Sequence, residues 1–235
     1  MNKARYFLLS IVFILNSCRQ VEDKVHIGML TMDTLVSAHF SDSVGKIVKP
    51  QLAPGLRATL WGIDSLVISP IAIDIDDQGR IYYTTTDRQK NSEFDIRGFR
   101  NWEIPSISFK TVEDRRKFLH EEFSPENSER NKWLKDLNGD SSHDWRDLAV
   151  EKEFVYRLED VNGDGIADRS LKVVEDFNDE VTDVTGGVLS NGDDLYVAVA
   201  PDLWLMKDKN GDGIGDMKFI KRPQAAIKSA QAAER

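Results

Sequence analysis

Cysteine occurs once in this chain, at position 18, and histidine only four times, at positions 26, 39, 120 and 143. A single cysteine excludes an internal disulfide framework and any Cys-rich zinc or iron–sulfur site. The histidines fall into no HExxH or HxxEH spacing, so a zincin-type centre is excluded too. Positive charge is also in deficit, with 31 Lys plus Arg against 40 Asp plus Glu, a net charge of −9. Nucleic-acid binders need a basic face for the phosphates, so no nucleic-acid partner is expected. The chain has no Gly-rich phosphate loop, no G-x-S-x-G and no C-x-x-C-H haem attachment. No residue is therefore assigned as catalytic or as cofactor-binding.

What remains is sufficient for a core. Hydrophobic residues make up 40% of the 235 and charged residues 30%, a balance that fits one large folded domain or two small ones.

The N-terminus reads as an address. Lys3 and Arg5 precede an apolar run over residues 6–15, too short to span a bilayer, and Leu15-Asn16-Ser17-Cys18 follows. This resembles a bacterial lipobox, with leucine at −3 and a small residue at −1, although Asn16 is an unusual −2 residue. The reading makes residues 1–17 a signal peptide and Cys18 the lipidated mature N-terminus. It places the chain in the bacterial cell envelope as a membrane-anchored lipoprotein, on the periplasmic side or at the outer membrane.

Residues 18–60 have weak periodicity and read as a tether and N-terminal segment. Residues 71–75 alternate with period two, Asp76-Asp77-Gln78-Gly79 is a turn, and residues 80–84 resume with β-branched and aromatic side chains, which makes a hairpin. A second hairpin joins residues 187–189 to 195–199. Two further strand pairs, 154–158 with 170–174 and 203–206 with 217–220, flank acidic turns. Between the first hairpin and the second strand pair, residues 112–123 and 125–137 carry apolar residues near helical spacing, so residues 88–150 read as a helical insertion. Each plain hairpin is followed by one with an acidic turn, and those turns are offset by 48 residues, from Asp160 to Asp208. Four strands per repeat at that spacing predict a mainly β chain, a partial β-propeller of two four-stranded blades over residues 61–222. Residues 223–235 form a polar tail.

The acidic turns share one pattern, D-x-N-G-D-G-I-x-D, at residues 160–168 and 208–216. Oxygens at positions 1, 3 and 5 converge if the chain turns sharply, and glycine at position 6 permits that turn. The spacing predicts two calcium ions. Asp160, Asn162, Asp164, Asp168 and the carbonyl of Ile166 hold one; Asp208, Asn210, Asp212, Asp216 and the carbonyl of Ile214 hold the other. An ordinary polar turn would supply such residues but not the same nine-residue pattern twice. These are not full EF-hands, because position 12 is Leu171 or Phe219 and the flanks read as strands. A third stretch from Asp136 has Asn138, Asp140, Asp144 and Asp147 but Ser141 at position 6, and whether it forms a site is open on sequence alone.

Taken together, Pro70-Ile71-Ala72-Ile73-Asp74, Gly79-Arg80-Ile81-Tyr82, Leu158-Glu159-Asp160-Val161-Asn162-Gly163-Asp164-Gly165, Leu195-Tyr196-Val197-Ala198 and Pro201-Asp202-Leu203-Trp204-Leu205 resemble one family. It is the N-terminal part of the bacterial membrane-associated dehydrogenase-like β-propellers, related to quinoprotein glucose and sorbosone dehydrogenases. The resemblance covers residues 65–218 and implies a propeller of about six blades. It further implies a quinone-type cofactor or sugar-like substrate at the channel, and a cytochrome c-type haem-binding domain as neighbour or partner. The family's catalytic histidine and arginine lie in later blades and have no counterpart here. Two blades do not close a ring, since propellers need about four or more. The expectation is thus an N-terminal fragment that is inactive by itself, with a non-catalytic calcium-dependent binding or adhesion lipoprotein as the alternative.

Overall fold

The computed structural model describes residues 28–89, 91–207 and 216–218. Among the described residues, nine strands form two antiparallel sheets. The first contains β1 (Met29–Thr31), β2 (Ile73–Ile75), β3 (Ile81–Thr86), β4 (Glu153–Glu159) and β5 (Arg169–Phe177), in the order β1-β5-β4-β3-β2. The second runs β6 (Thr185–Asn191), β7 (Asp194–Val199), β8 (Asp202–Lys207) and β9 (Asp216–Lys218), each beside the next. The strand pairs expected at 71–84, 154–174 and 187–199 are present, and β3 joins β4 in register from Ile81↔Leu158 to Thr86↔Glu153. The last expected pair is seen as residues 205–207 with Asp216–Lys218, while residues 219–220 lie outside the described ones. The first unit has five strands rather than four. β1 adds to its outer edge by pairing Leu30 with Ser170, and three residues are too few for a periodicity to reveal.

The two sheets pack face to face. Tyr82, Val155, Val173, Val174 and Phe177 of the first meet Leu195, Val197, Val199 and Met206 of the second in one apolar core. On the opposite face of the first sheet, Tyr83, Tyr156 and Leu158 are covered by Ile63, Leu66 and Ala167. The Tyr83 hydroxyl there donates to Leu66 O (3.1 Å) and accepts from Ile68 N–H (3.3 Å), while burial pushes its pKa up.

Residues 87–152 leave the sheet between β3 and β4. They contain α2 (Glu103–Ser108), α3 (Val112–Glu122) and short 3-10 turns at Arg100–Trp102, Pro125–Asn127 and Asp147–Ala149. α3 starts with a capping box in which Thr111 and Asp114 satisfy each other's backbone N–H. The stretch expected to be helical over 125–137 is instead a 3-10 turn followed by further turns, because Asn127 and Asn131 turn their side-chain amides back on the Glu122 carbonyl. Phe94, Trp102, Leu119, Phe123, Leu134 and Leu148 give the insertion its own core, and Trp102 stacks on Phe99 at 3.9 Å.

A further helix, α1 (Thr34–Val48), lies in the N-terminal stretch where the sequence has little pattern. Asp33 caps it by accepting Leu35 and Val36 N–H, and Lys49 ends it in the left-handed region. Its buried residues are Ser37 and Ser41, so no apolar periodicity faces inward. Among the described residues, no helix is long and apolar enough to cross a membrane.

Candidate functional site

The β4–β5 hairpin is clamped at its base before its loop begins. Glu159 and Arg169 are register partners, and the half-buried Arg169 and buried Arg157 both pair with the Glu159 carboxylate, Arg157 at 2.7 Å. The loop then folds around its own acidic side chains. Asp160 Oδ1 accepts Gly163 N–H (2.7 Å) and Asp164 N–H (3.2 Å), and Asp160 Oδ2 accepts Gly165 N–H (2.7 Å). Asn162 Oδ1 accepts Asp164 N–H (2.8 Å), and Asp164 Oδ1 accepts Ile166 N–H (2.9 Å). Gly163 and Gly165 sit at φ +78° and +88°, the left-handed region that the tight coil requires. Asp168 turns back to the start of the loop, where its Oδ1 accepts Val161 N–H at 3.2 Å. The end of the loop is fastened outside the hairpin as well, by Ala167 N–H to Trp61 O (2.7 Å) and Met32 N–H to Asp168 O (2.9 Å).

The stretch from Asp136 adopts the same hydrogen-bond plan. Asp136 Oδ1 accepts Gly139 and Asp140 N–H (2.7 and 3.2 Å), and Oδ2 accepts Ser141 N–H (2.9 Å). Asn138 Oδ1 accepts Asp140 N–H and Asp140 Oδ1 accepts Ser142 N–H, both at 2.8 Å. Ser141 takes φ +67°, so the missing glycine does not prevent the turn. The closing carboxylate is Asp147, fully buried, whose Oδ1 accepts Leu137 and Asn138 N–H (2.8 and 3.2 Å). Asp144, at the ninth position, faces Arg146 instead, at 2.8 Å.

The donor set of the 160–168 loop is all oxygen, which suits a hard cation such as calcium. Backbone N–H groups take three of the roughly four acceptor positions of Asp160 and leave lone pairs on Asp164 and Asn162. Among the described residues, no three His, Cys, Asp or Glu side chains are grouped closely enough to hold a metal by themselves. A cation here would therefore draw on the Asn162 amide and the Ile166 carbonyl as well as on carboxylates. Asp208, Asn210, Asp212 and Ile214 lie outside the described residues, as does Cys18; Asp216 opens β9 opposite Lys207.

Buried charges where the insertion meets the sheets had no sequence signal. Arg88 and Glu153 are 1% and 0% exposed. Arg88 donates to Leu148 O (3.0 Å) and Asp179 O (3.4 Å), and burial lowers its pKa despite the charge of Glu153. Glu153 accepts the Thr86 hydroxyl, the Thr185 N–H (2.6 Å) and the Thr185 hydroxyl (2.8 Å); burial nevertheless raises its pKa. A single glutamate thus joins β3, β4 and β6. Nearby, α3 grips the β5–β6 loop through Arg115–Asp183 (2.9 Å), Arg116–Asp179 (3.1 Å) and an Arg116–Glu180 pair. Beneath the first sheet, Trp61, Val67, Pro70, Ile73, Tyr83 and Leu158 border an apolar cleft of about 180 Å³. That is below the roughly 300–1,000 Å³ of small-molecule sites, and it offers no convergent polar groups.

No curated protein and no solved structure matches the chain. The family model described as domain of unknown function DUF7133 matches residues 43–220, which takes in the insertion, both acidic loops and every strand except β1. The chain belongs to the DUF7133 family.

Proposed function

We propose that this chain is a lipid-anchored, calcium-binding segment of a dehydrogenase-like β-propeller in the bacterial cell envelope, inactive as a dehydrogenase by itself. The observation that carries the calcium reading is the loop at 160–168. Its Asp160, Asn162 and Asp164 oxygens accept five backbone N–H bonds that coil the loop, and the stretch from Asp136 repeats the plan with a different sixth residue. Asp160, Asn162, Asp164, Asp168 and the Ile166 carbonyl hold one ion. The matching residues Asp208, Asn210, Asp212, Asp216 and the Ile214 carbonyl hold a second, and the stretch from Asp136 to Asp147 is a third candidate. The ion's role is structural: it neutralises carboxylates that otherwise repel one another at the hairpin tip.

The propeller reading draws support from the second sheet. Its strands β7 and β8 are apolar at both parities, as in Leu195-Tyr196-Val197-Ala198-Val199 and Leu203-Trp204-Leu205-Met206. Only one of these faces meets the first sheet. The other presents Leu189, Tyr196 and Leu205 in register beside Leu203, a surface suited to a next blade. The quinone cofactor, haem partner and sugar or alcohol substrate of the family belong on this reading to blades beyond these two.

Calorimetric titration of the metal-stripped chain with calcium tests the proposal. Each ion bound only by the folded state should add about 2.7 kcal/mol of stability at a hundredfold excess over its dissociation constant. Asp164→Ala and Asp212→Ala should each remove one ion and lower the melting temperature only when calcium is present. No heat and no melting shift at millimolar calcium would mean that the loops are ordinary polar turns.

A further inference from the structure

Helix α1 is packed inside out. It turns Ser37 and Ser41, 1% and 6% exposed, toward the protein and leaves Val36, Phe40 and Ile47 at 55%, 42% and 81% exposure. At 100° per residue those three side chains fall within an arc of about 40° and form one stripe. A helix facing water has the reverse arrangement, with its apolar side inward. The stripe is also held in place rather than fraying. Asp33 caps the first turn, and Ser41 Oγ donates to Leu60 O at 2.8 Å, which fastens the serine face to the body. Lys46, exposed and paired with Asp42 at 2.5 Å, flanks the stripe near its C-terminal end.

We propose that α1 lies on a lipid bilayer, with Val36, Phe40 and Ile47 in the acyl boundary and Lys46 beside them at the headgroups. The occupant follows from the chain that leads into the helix. Only residues 19–33 separate Cys18 from α1, and fully extended they reach no more than about 50 Å. A chain acylated at Cys18 therefore keeps this stripe within reach of the membrane, so the inference rests on the lipid-anchor reading. Val36 and Phe40 also precede the family range of 43–220, which sets most of the stripe outside the shared domain. A lipid chain combined with an amphipathic helix is a two-signal attachment, and it fixes the orientation of the sheets above the membrane as one flexible tether does not.

The single cysteine makes a direct test possible. The full chain, purified from membranes, is treated with a maleimide bimane as wild type, Ile47→Cys and Asp42→Cys. It is then reconstituted sparsely into phosphatidylethanolamine–phosphatidylglycerol vesicles with or without shallow doxyl lipids. Residues 42 and 47 are both exposed, and Asp42→Cys removes only a surface pair with Lys46, which leaves that lysine free for the headgroups. The expected result is no label on wild type, because Cys18 is acylated, and doxyl quenching several-fold stronger at position 47 than at 42. Equal quenching at the two sites would overturn the membrane contact while leaving the anchor standing. A blue shift at 47 without quenching would overturn it in favour of a protein cover. Label on wild type would show Cys18 free, and both the anchor and the inference would fall.

Discussion

Ser141 and Gly165 occupy equivalent points of two loops, one at φ +67° and the other at +88°. A side chain in that region costs roughly 1–2 kcal/mol, against about 0.5–1 kcal/mol for the extra backbone freedom of glycine. Ser141→Gly is therefore expected to stabilise the fold by up to about 1 kcal/mol, and Gly165→Ala to destabilise it by about 1–2 kcal/mol, both measurable by urea denaturation. The loop coil at 160–168 was legible because every position matches the residue type that the turn demands. The coil at 136 was only half legible, since a serine in a left-handed conformation leaves no mark in sequence. Arg88 and Glu153 were not legible at all. A charge at a strand end reads as solvated until the neighbouring strand and the insertion close over it. Each keeps its own hydrogen-bond partners and feels the other's charge, so Glu153→Gln and Arg88→Met should each cost about 1–3 kcal/mol. The double variant should cost less than the two singles together, and chemical denaturation of the four proteins in that cycle decides it.

The ion pairs between α3 and the β5–β6 loop set how the insertion sits on the sheets. Burial works to raise the pKa of Asp179, but side-chain hydrogen bonds shared with Glu180 and Arg116 and the Val181 N–H outweigh it. The carboxyl is held well below its ordinary value of 3.8. Its contribution is thus fully present above that value and is lost as pH falls toward the lowered one. Asp179→Asn should therefore lower the melting temperature most at neutral pH, where the contribution is fully present, and converge on the wild type as pH falls well below 3.8, flattening the acid limb of a melting-temperature profile against pH. Element by element, the hairpins and α3 could be read from period and capping, since each carries its own signal locally. The exceptions have physical causes. α1 has no apolar period because its buried residues are serines, and the helical spacing of Trp133, Leu134 and Leu137 misleads because Asn127 and Asn131 fold back on the Glu122 carbonyl at the end of α3.

At the scale of the molecule, three apolar clusters among the described residues divide the stability between them. Phe177 belongs to the core shared by both sheets and Leu134 to the core of the insertion. Phe177→Ala should cost about 3–5 kcal/mol and Leu134→Ala about 2–5 kcal/mol. Hydrogen exchange should separate the two, with amides of both sheets opening in the first variant and those of residues 87–152 opening first in the second. The pairing of two four-stranded hairpin sets was visible in the sequence as a repeat. What the sequence did not convey is how strands on either side of the insertion rejoin. Thr86 and Glu153 are cross-strand partners linked by a side-chain hydrogen bond, so the insertion leaves and re-enters the sheet through a single doorway. Chain grafted there lengthens the polypeptide without parting any strands, and the cost of closing a longer loop grows only logarithmically. That junction is a cassette port. A tight two-residue turn could replace residues 87–152, provided that Glu153 is neutralised once Arg88 has gone, and another compact domain could be spliced in with the sheet register kept.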